Sequence, residues 1–83
     1  MTDAIDTGDH VLHGPTGETW IVARVAGGEL TWCGWPEGWA KLADCTLVRK
    51  ATAIERAGLL VALAKGQHHC ASWAADELAK EAA

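Results

Sequence analysis

Glu18-Thr19-Trp20-Ile21-Val22-Ala23-Arg24-Val25-Ala26-Gly27-Gly28-Glu29-Leu30-Thr31-Trp32-Cys33 is the stretch that decides the fold. Its first eight residues are rich in β-branched and aromatic side chains, which suit a pleated surface and predict the longest strand of the chain. Ala26-Gly27-Gly28 marks a tight hairpin, because glycine reaches the positive φ that such turns require. Glu29 to Cys33 reads as the return strand, with Leu30 and Trp32 on one face. Simple alternation along 18–25 places Ile21, Ala23 and Val25 toward a core, and Trp20, Val22 and Arg24 on the other side.

Upstream of this hairpin, Gly14-Pro15-Thr16-Gly17 is a strong turn signal, and Asp9 to His13 reads as another strand. Residues 1–8 are polar and acidic and are expected to be a loose lead-in. Downstream, Gly34-Trp35-Pro36-Glu37-Gly38-Trp39 cannot continue a central strand. Proline lacks the ladder donor and glycine is a poor strand former, so this stretch is a structured loop. Ala40 to Asp44 predicts a short turn of helix or 3₁₀, and Cys45 to Arg49 a last short strand. Four or five short strands joined this tightly predict a small, curled antiparallel barrel.

The period changes after residue 50. Thr52-Ala53-Ile54-Glu55 fits a capping box, in which the threonine hydroxyl accepts from the third helical amide and the glutamate reaches back. The helix is predicted to run to about Lys65, with Gly66 as its stop. At 100° per residue, Ile54, Ala57, Leu60, Val61 and Ala64 share one arc, which leaves Leu59 and Leu63 on the far side. A second helix over 70–81, aligning Cys70, Ala74 and Leu78 with Trp73 beside them, is the expected cover. The spare leucines also leave room for a homodimer through the helical region.

With 83 residues there is room for one domain, 1–83, comprising a barrel over 8–50 and a helical hairpin over 52–82. Hydrophobic residues make up 49% and charged residues 22%, a globular balance rather than a disordered one. No apolar run approaches the roughly 20 residues that span a bilayer, so no membrane partner is expected. The acidic start MTDAIDTGD has neither a basic nor an apolar leader region, and the three cysteines form no CxxC pair. Both features predict a cytoplasmic protein with reduced thiols. The net charge is −4, of which residues 1–48 carry −5 and residues 49–83 carry +1. Arg49-Lys50 is the one pair of adjacent bases, so a phosphate-tracking surface is not expected and nucleic acid is a disfavoured partner.

The tryptophan-rich loop is the first candidate site. Trp35, Pro36, Glu37 and Trp39 would form a rigid, amphipathic platform, and aromatic-lined surfaces on small barrels hold extended peptides. The competing reading makes these tryptophans core, since the chain has no Phe or Tyr to supply aromatic bulk. Trp32 is expected in the core, and at least one of Trp35 and Trp39 at the surface. Glu18, Glu29, Glu37 and Asp44 read as a solvated acidic face able to steer a basic partner. His10, His13, Cys33 and Cys45 are the alternative, a zinc set. Zinc ligands usually arrive as closely spaced pairs, and here His10/His13 and the run His68-His69-Cys70 are the close groupings. No nucleophile elbow, phosphate loop or cofactor fingerprint is present, so the expectation is a protein that is not an enzyme and carries no cofactor.

The chain also resembles a family of short proteins encoded by phages and prophages, with the pattern GDxVxHxPTGExWxVA, a GWPE box and a DCxLV element. Gly8-Asp9, Val11, His13, Pro15-Thr16-Gly17-Glu18, Trp20, Val22-Ala23, Gly34-Trp35-Pro36-Glu37 and Asp44-Cys45 carry the resemblance over about half the chain. It implies an SH3-like barrel with appended helices, and it brings no activity and no residue roles. The expectation is therefore an α+β fold, an SH3-like β-barrel followed by a helical hairpin. Its function would be non-enzymatic binding of a protein partner, a host protein included. A zinc-binding protein or a nucleic-acid accessory factor is the alternative.

Overall fold

The computed structural model of the chain describes residues 4–34, 38–66 and 68–82. The decisive hairpin forms as expected. Strand β2 (Glu18–Ala26) and strand β3 (Glu29–Trp32) pair antiparallel, with Ala26 opposite Glu29. Gly27 and Gly28 between them both have positive φ, 59° and 80°, a conformation that costs glycine little. Strand β1 (His10–His13) lies along the other edge of β2, joined to it by the turn at 14–17. The two-residue strand β4 (Ala40–Lys41) runs into a 3₁₀ turn (Leu42–Asp44) and then into strand β5 (Cys45–Arg49). β5 returns to pair with β1, giving one five-stranded antiparallel sheet in the order β4-β3-β2-β1-β5. Helices α1 (Ala53–Lys65) and α2 (Ala71–Ala82) follow, so the fold is α+β. No helix among the described residues is long and apolar enough to cross a membrane.

The alternation expected along β2 is corrected by a bulge. Val22 lies opposite Trp32, but Arg24 and not Ala23 lies opposite Thr31, so one extra residue is inserted. The insertion resets the parity of the strand. Val22 and Val25 join the cluster built on Val11 and Leu30, while Ala23 joins a second cluster with Leu60, Leu63 and Ala74. Arg24 stays on the helix side, 5.3 Å above the Trp73 ring. Ile21, expected in the core, is 40% exposed. The sheet thus has two apolar faces, one packed by Ile5, Leu42 and Cys45 and one covered by the helices. Each fully buried Val or Leu stabilises the fold by about 1.5–3 kcal/mol relative to exposure.

Helix α1 begins as its capping box predicts. The Thr52 hydroxyl accepts from the Glu55 amide at 3.1 Å, and Glu55 Oε1 accepts from the Thr52 amide at 3.0 Å. The face it buries differs from the expected arc. Leu60 and Leu63 are buried and Leu59 packs beside them, while Ile54 is 85% exposed. Of the leucines on the far side of that arc, Leu63 is buried against β2 and α2 of its own chain and Leu59 is half-buried beside it. On α2, Trp73, Ala74 and Leu78 face inward as expected, and Cys70, expected as its first residue, is buried just before it.

The lead-in also differs from expectation. Ile5 packs on the inner cluster, and the Gly8 amide donates to the Val22 carbonyl at 2.8 Å. Asp9 is buried, with 1% of its surface exposed, and accepts from the amides of Asp6 and Ala51 and from Lys50 Nζ, each at 2.8 Å. Burial pushes its pKa up, but these hydrogen bonds and the Lys50 charge outweigh it and hold the carboxyl below its ordinary 3.8.

Candidate functional site

At one end of the sheet, three rings stack across three strands. His13 lies on Trp20 with ring centroids 4.5 Å apart, and Trp20 on Trp32 at 4.1 Å, each pair tilted by 21°. The register explains the stack. Trp20 is opposite Val11 and Trp32 is opposite Val22, so the three rings are diagonal neighbours on one sheet face. That face also holds Val11, Val22 and Leu30, so the stack is the solvent end of the inner core. Local hydrogen bonds fix the rings. His13 Nδ1 bonds to Thr16 Oγ1 at 2.7 Å, and Trp20 Nε1 donates to Glu18 Oε2 at 3.0 Å. The Gly14 amide donates to the Asp44 carbonyl at 2.9 Å, tying the turn at 14–17 to the 3₁₀ turn.

The stack forms one wall of a cleft of about 480 Å³, a size that suits a side chain or a short extended segment. Trp39, 42% exposed, lines it together with Ala40 and Lys41 of β4. Gly38 lets the chain pass close over the indole, since a Cβ there would come within 3.1 Å of Trp32 Cη2. Glu18, Glu29 and Asp44 also line it, three carboxylates against the one ammonium, that of Lys41, among the described residues. Aromatic faces beside unneutralised carboxylates favour a cation.

The sequence-predicted site residues divide between several places. Trp39 and the acidic residues Glu18, Glu29 and Asp44 meet at the cleft. Trp35, Pro36 and Glu37 lie outside the described residues. Trp32, expected as core, packs on the inner cluster and also lines the cleft, and Trp20 joins it there. Both were legible as strand residues of one hairpin, but their stacking follows from a register that the bulge alters.

The zinc set is not gathered. His10 and His13 are three residues apart on one strand and project to opposite faces. His13 lines the aromatic cleft, while His10 lines a smaller cleft of about 300 Å³ beside Ile21 and Leu59 of α1. Cys45 packs on the inner cluster and Cys33 on the helix-side cluster. Burial pushes both thiols up, with Cys70 adding to the shift at Cys33 and Asp44 at Cys45. Neither thiol is thereby activated as a nucleophile. Comparison with protein-family models, curated proteins and solved structures finds no match.

Proposed function

We propose that this chain is a small, non-enzymatic interaction module of phage or prophage type, holding a basic, extended segment of a partner protein. The segment lies in the cleft between the Trp20–Trp32 stack and Trp39. One observation carries the reading: among the described residues, three tryptophans and three carboxylates converge on a cleft whose lining has one lysine. A lysine or arginine side chain would lay its stem and charge on the indole faces, with Glu18, Glu29 and Asp44 balancing the charge. The same carboxylates would repel a phosphate backbone, which disfavours the nucleic-acid alternative. A five-strand meander whose last strand follows a 3₁₀ turn and returns to β1 supports reading the sheet as an SH3-like barrel. A host protein fits the phage-type reading as the source of the segment.

The test is calorimetric titration with three extended peptides of equal length: one rich in Lys, Arg and Pro, one neutral and proline-rich, and one acidic. The basic peptide should bind best. Trp39→Ala should weaken it by about 2 kcal/mol, roughly thirtyfold, as truncation of a central aromatic anchor does. Trp39 is half in solvent, so circular dichroism of the variant should be unchanged. Equal binding of the basic and acidic peptides, or no loss in the variant, would remove the cleft from the account.

A further inference from the structure

A second constellation adjoins the back of the cleft wall, where the connector between α1 and α2 passes the end of β3 and reaches Trp32 and Trp39. His68, His69 and Cys70 each offer a ligand atom, and these atoms lie within 4.8 Å of one another. Tetrahedral zinc, with bonds of about 2.0–2.3 Å, sets its ligand atoms roughly 3.3–3.8 Å apart, so a contraction of about 1 Å would close the group on an ion. His69 is exposed, and its ring lies 4.4 Å from that of His68 and 5.8 Å from that of Trp39.

The connector is already oriented for this chemistry. His68 Nε2 donates to the Trp32 carbonyl at 3.1 Å, which leaves Nδ1 unprotonated. Imidazoles that bind metals characteristically spend their second nitrogen on such an outer partner, which fixes the tautomer and aims the ring. Nδ1 accepts the Cys70 amide at 3.0 Å, a bond that a metal at Nδ1 would replace. Trp32 directly precedes Cys33, whose amide is anchored to the Ile21 carbonyl at 2.9 Å. The bond from His68 to the Trp32 carbonyl thus holds the connector one residue from Cys33, whose side chain packs on the helix-side cluster.

We propose that His68, His69 and Cys70 bind a thiophilic divalent cation of the zinc type, with the Cys33 thiolate as fourth ligand. The site joins the end of β3 to the helical hairpin. It uses two imidazoles and two thiolates, a donor set that selects zinc over magnesium or calcium. It shares one residue, Cys33, with the set expected from sequence. The run 68–70 was visible in the sequence as a close grouping, but its joining to Cys33 was not, because 35 residues separate them.

Cobalt(II) tests it, since a tetrahedral cobalt–thiolate site has intense visible bands and a near-ultraviolet thiolate-to-cobalt charge-transfer band. The full chain, stripped with a chelator, should take up one cobalt with both features, and zinc should displace them. His69→Ala lies at an exposed position and should weaken binding by more than tenfold, since even outer-shell partners are worth about 10–100-fold. Cys33→Ser should roughly halve the charge-transfer band by removing one of two thiolates. A His10→Ala/His13→Ala variant, checked with the others by circular dichroism, should bind as the parent does. The pale spectrum of hydrated cobalt, or a charge-transfer band that either His69→Ala or Cys33→Ser leaves intact, overturns the proposal.

Discussion

Asp9 does at the residue scale what no local pattern announces. Its carboxylate closes the N-terminal segment onto the start of the helical half, through Lys50 and Ala51, which lie 41 and 42 residues along the chain. In the sequence it reads as the first residue of a strand, because both partners are remote. The folded pKa is below the ordinary 3.8, so the stabilisation it brings is fully present above about pH 4. That stabilisation is lost as pH falls through the folded value, where the native state must take up a proton it resists. Lys50 is 44% exposed, so solvent screens the ion pair, and the two amide bonds to the buried oxygens carry most of the effect. Asp9→Asn should cost about 1–3 kcal/mol at pH 7, because one buried amide or the ammonium loses its acceptor. Urea titrations should show that deficit at pH 7 and a smaller one at pH 3. Equal midpoints for the two proteins at pH 7 would refute this account of the contact.

Elements were legible where their signals are local, and misread where a neighbour decides. The Gly27-Gly28 turn, the 14–17 turn and the Thr52–Glu55 box are each contained within four residues, and all form as read. The faces of β2 and α1 are set by what packs on them. A bulge that nothing in the local composition marks moves Val22 and Val25 to one side and Ala23 and Arg24 to the other. α1 offers two apolar arcs, and the sheet with α2 buries a face that straddles them, taking Leu60 and Ala64 from one and Leu59 and Leu63 from the other. The choice has a close-packed consequence at Ala74, which is fully buried among Leu60, Leu63 and Ala23. Ala74→Leu should therefore overpack the junction and cost about 1–3 kcal/mol, read as a lowered urea midpoint. A neutral or stabilising leucine would mean that α2 does not seat there. The cleft was legible only as ingredients. Trp39 and the acidic residues were visible, but the Trp20–Trp32 wall exists only once the register is known.

The charge of the whole molecule is distributed to match the proposed ligand. Residues 1–48 hold −5 of charge while residues 49–83 hold +1, and the cleft belongs to the first part. A cationic segment approaching the molecule therefore meets an attractive field before it meets Trp39, and the attraction extends over about a Debye length, roughly 10 Å at 0.1 M salt. Steering of this kind acts on the association rate, whereas contact with the indoles acts on dissociation. The two contributions separate by experiment. Raising ionic strength from low to well above physiological should slow association of the basic peptide on the order of tenfold and change its dissociation rate little. Trp39→Ala should do the reverse, leaving association nearly unchanged and speeding dissociation. Replacing Glu18, Glu29 and Asp44 by Gln, Gln and Asn should reproduce the effect of salt at low ionic strength, and added salt should then have little further effect. Stopped-flow measurement of both rates for the three proteins checks this. If salt accelerated dissociation alone, the acidic rim would be a contact surface rather than a field, and the peptide would lie on the carboxylates instead of the rings.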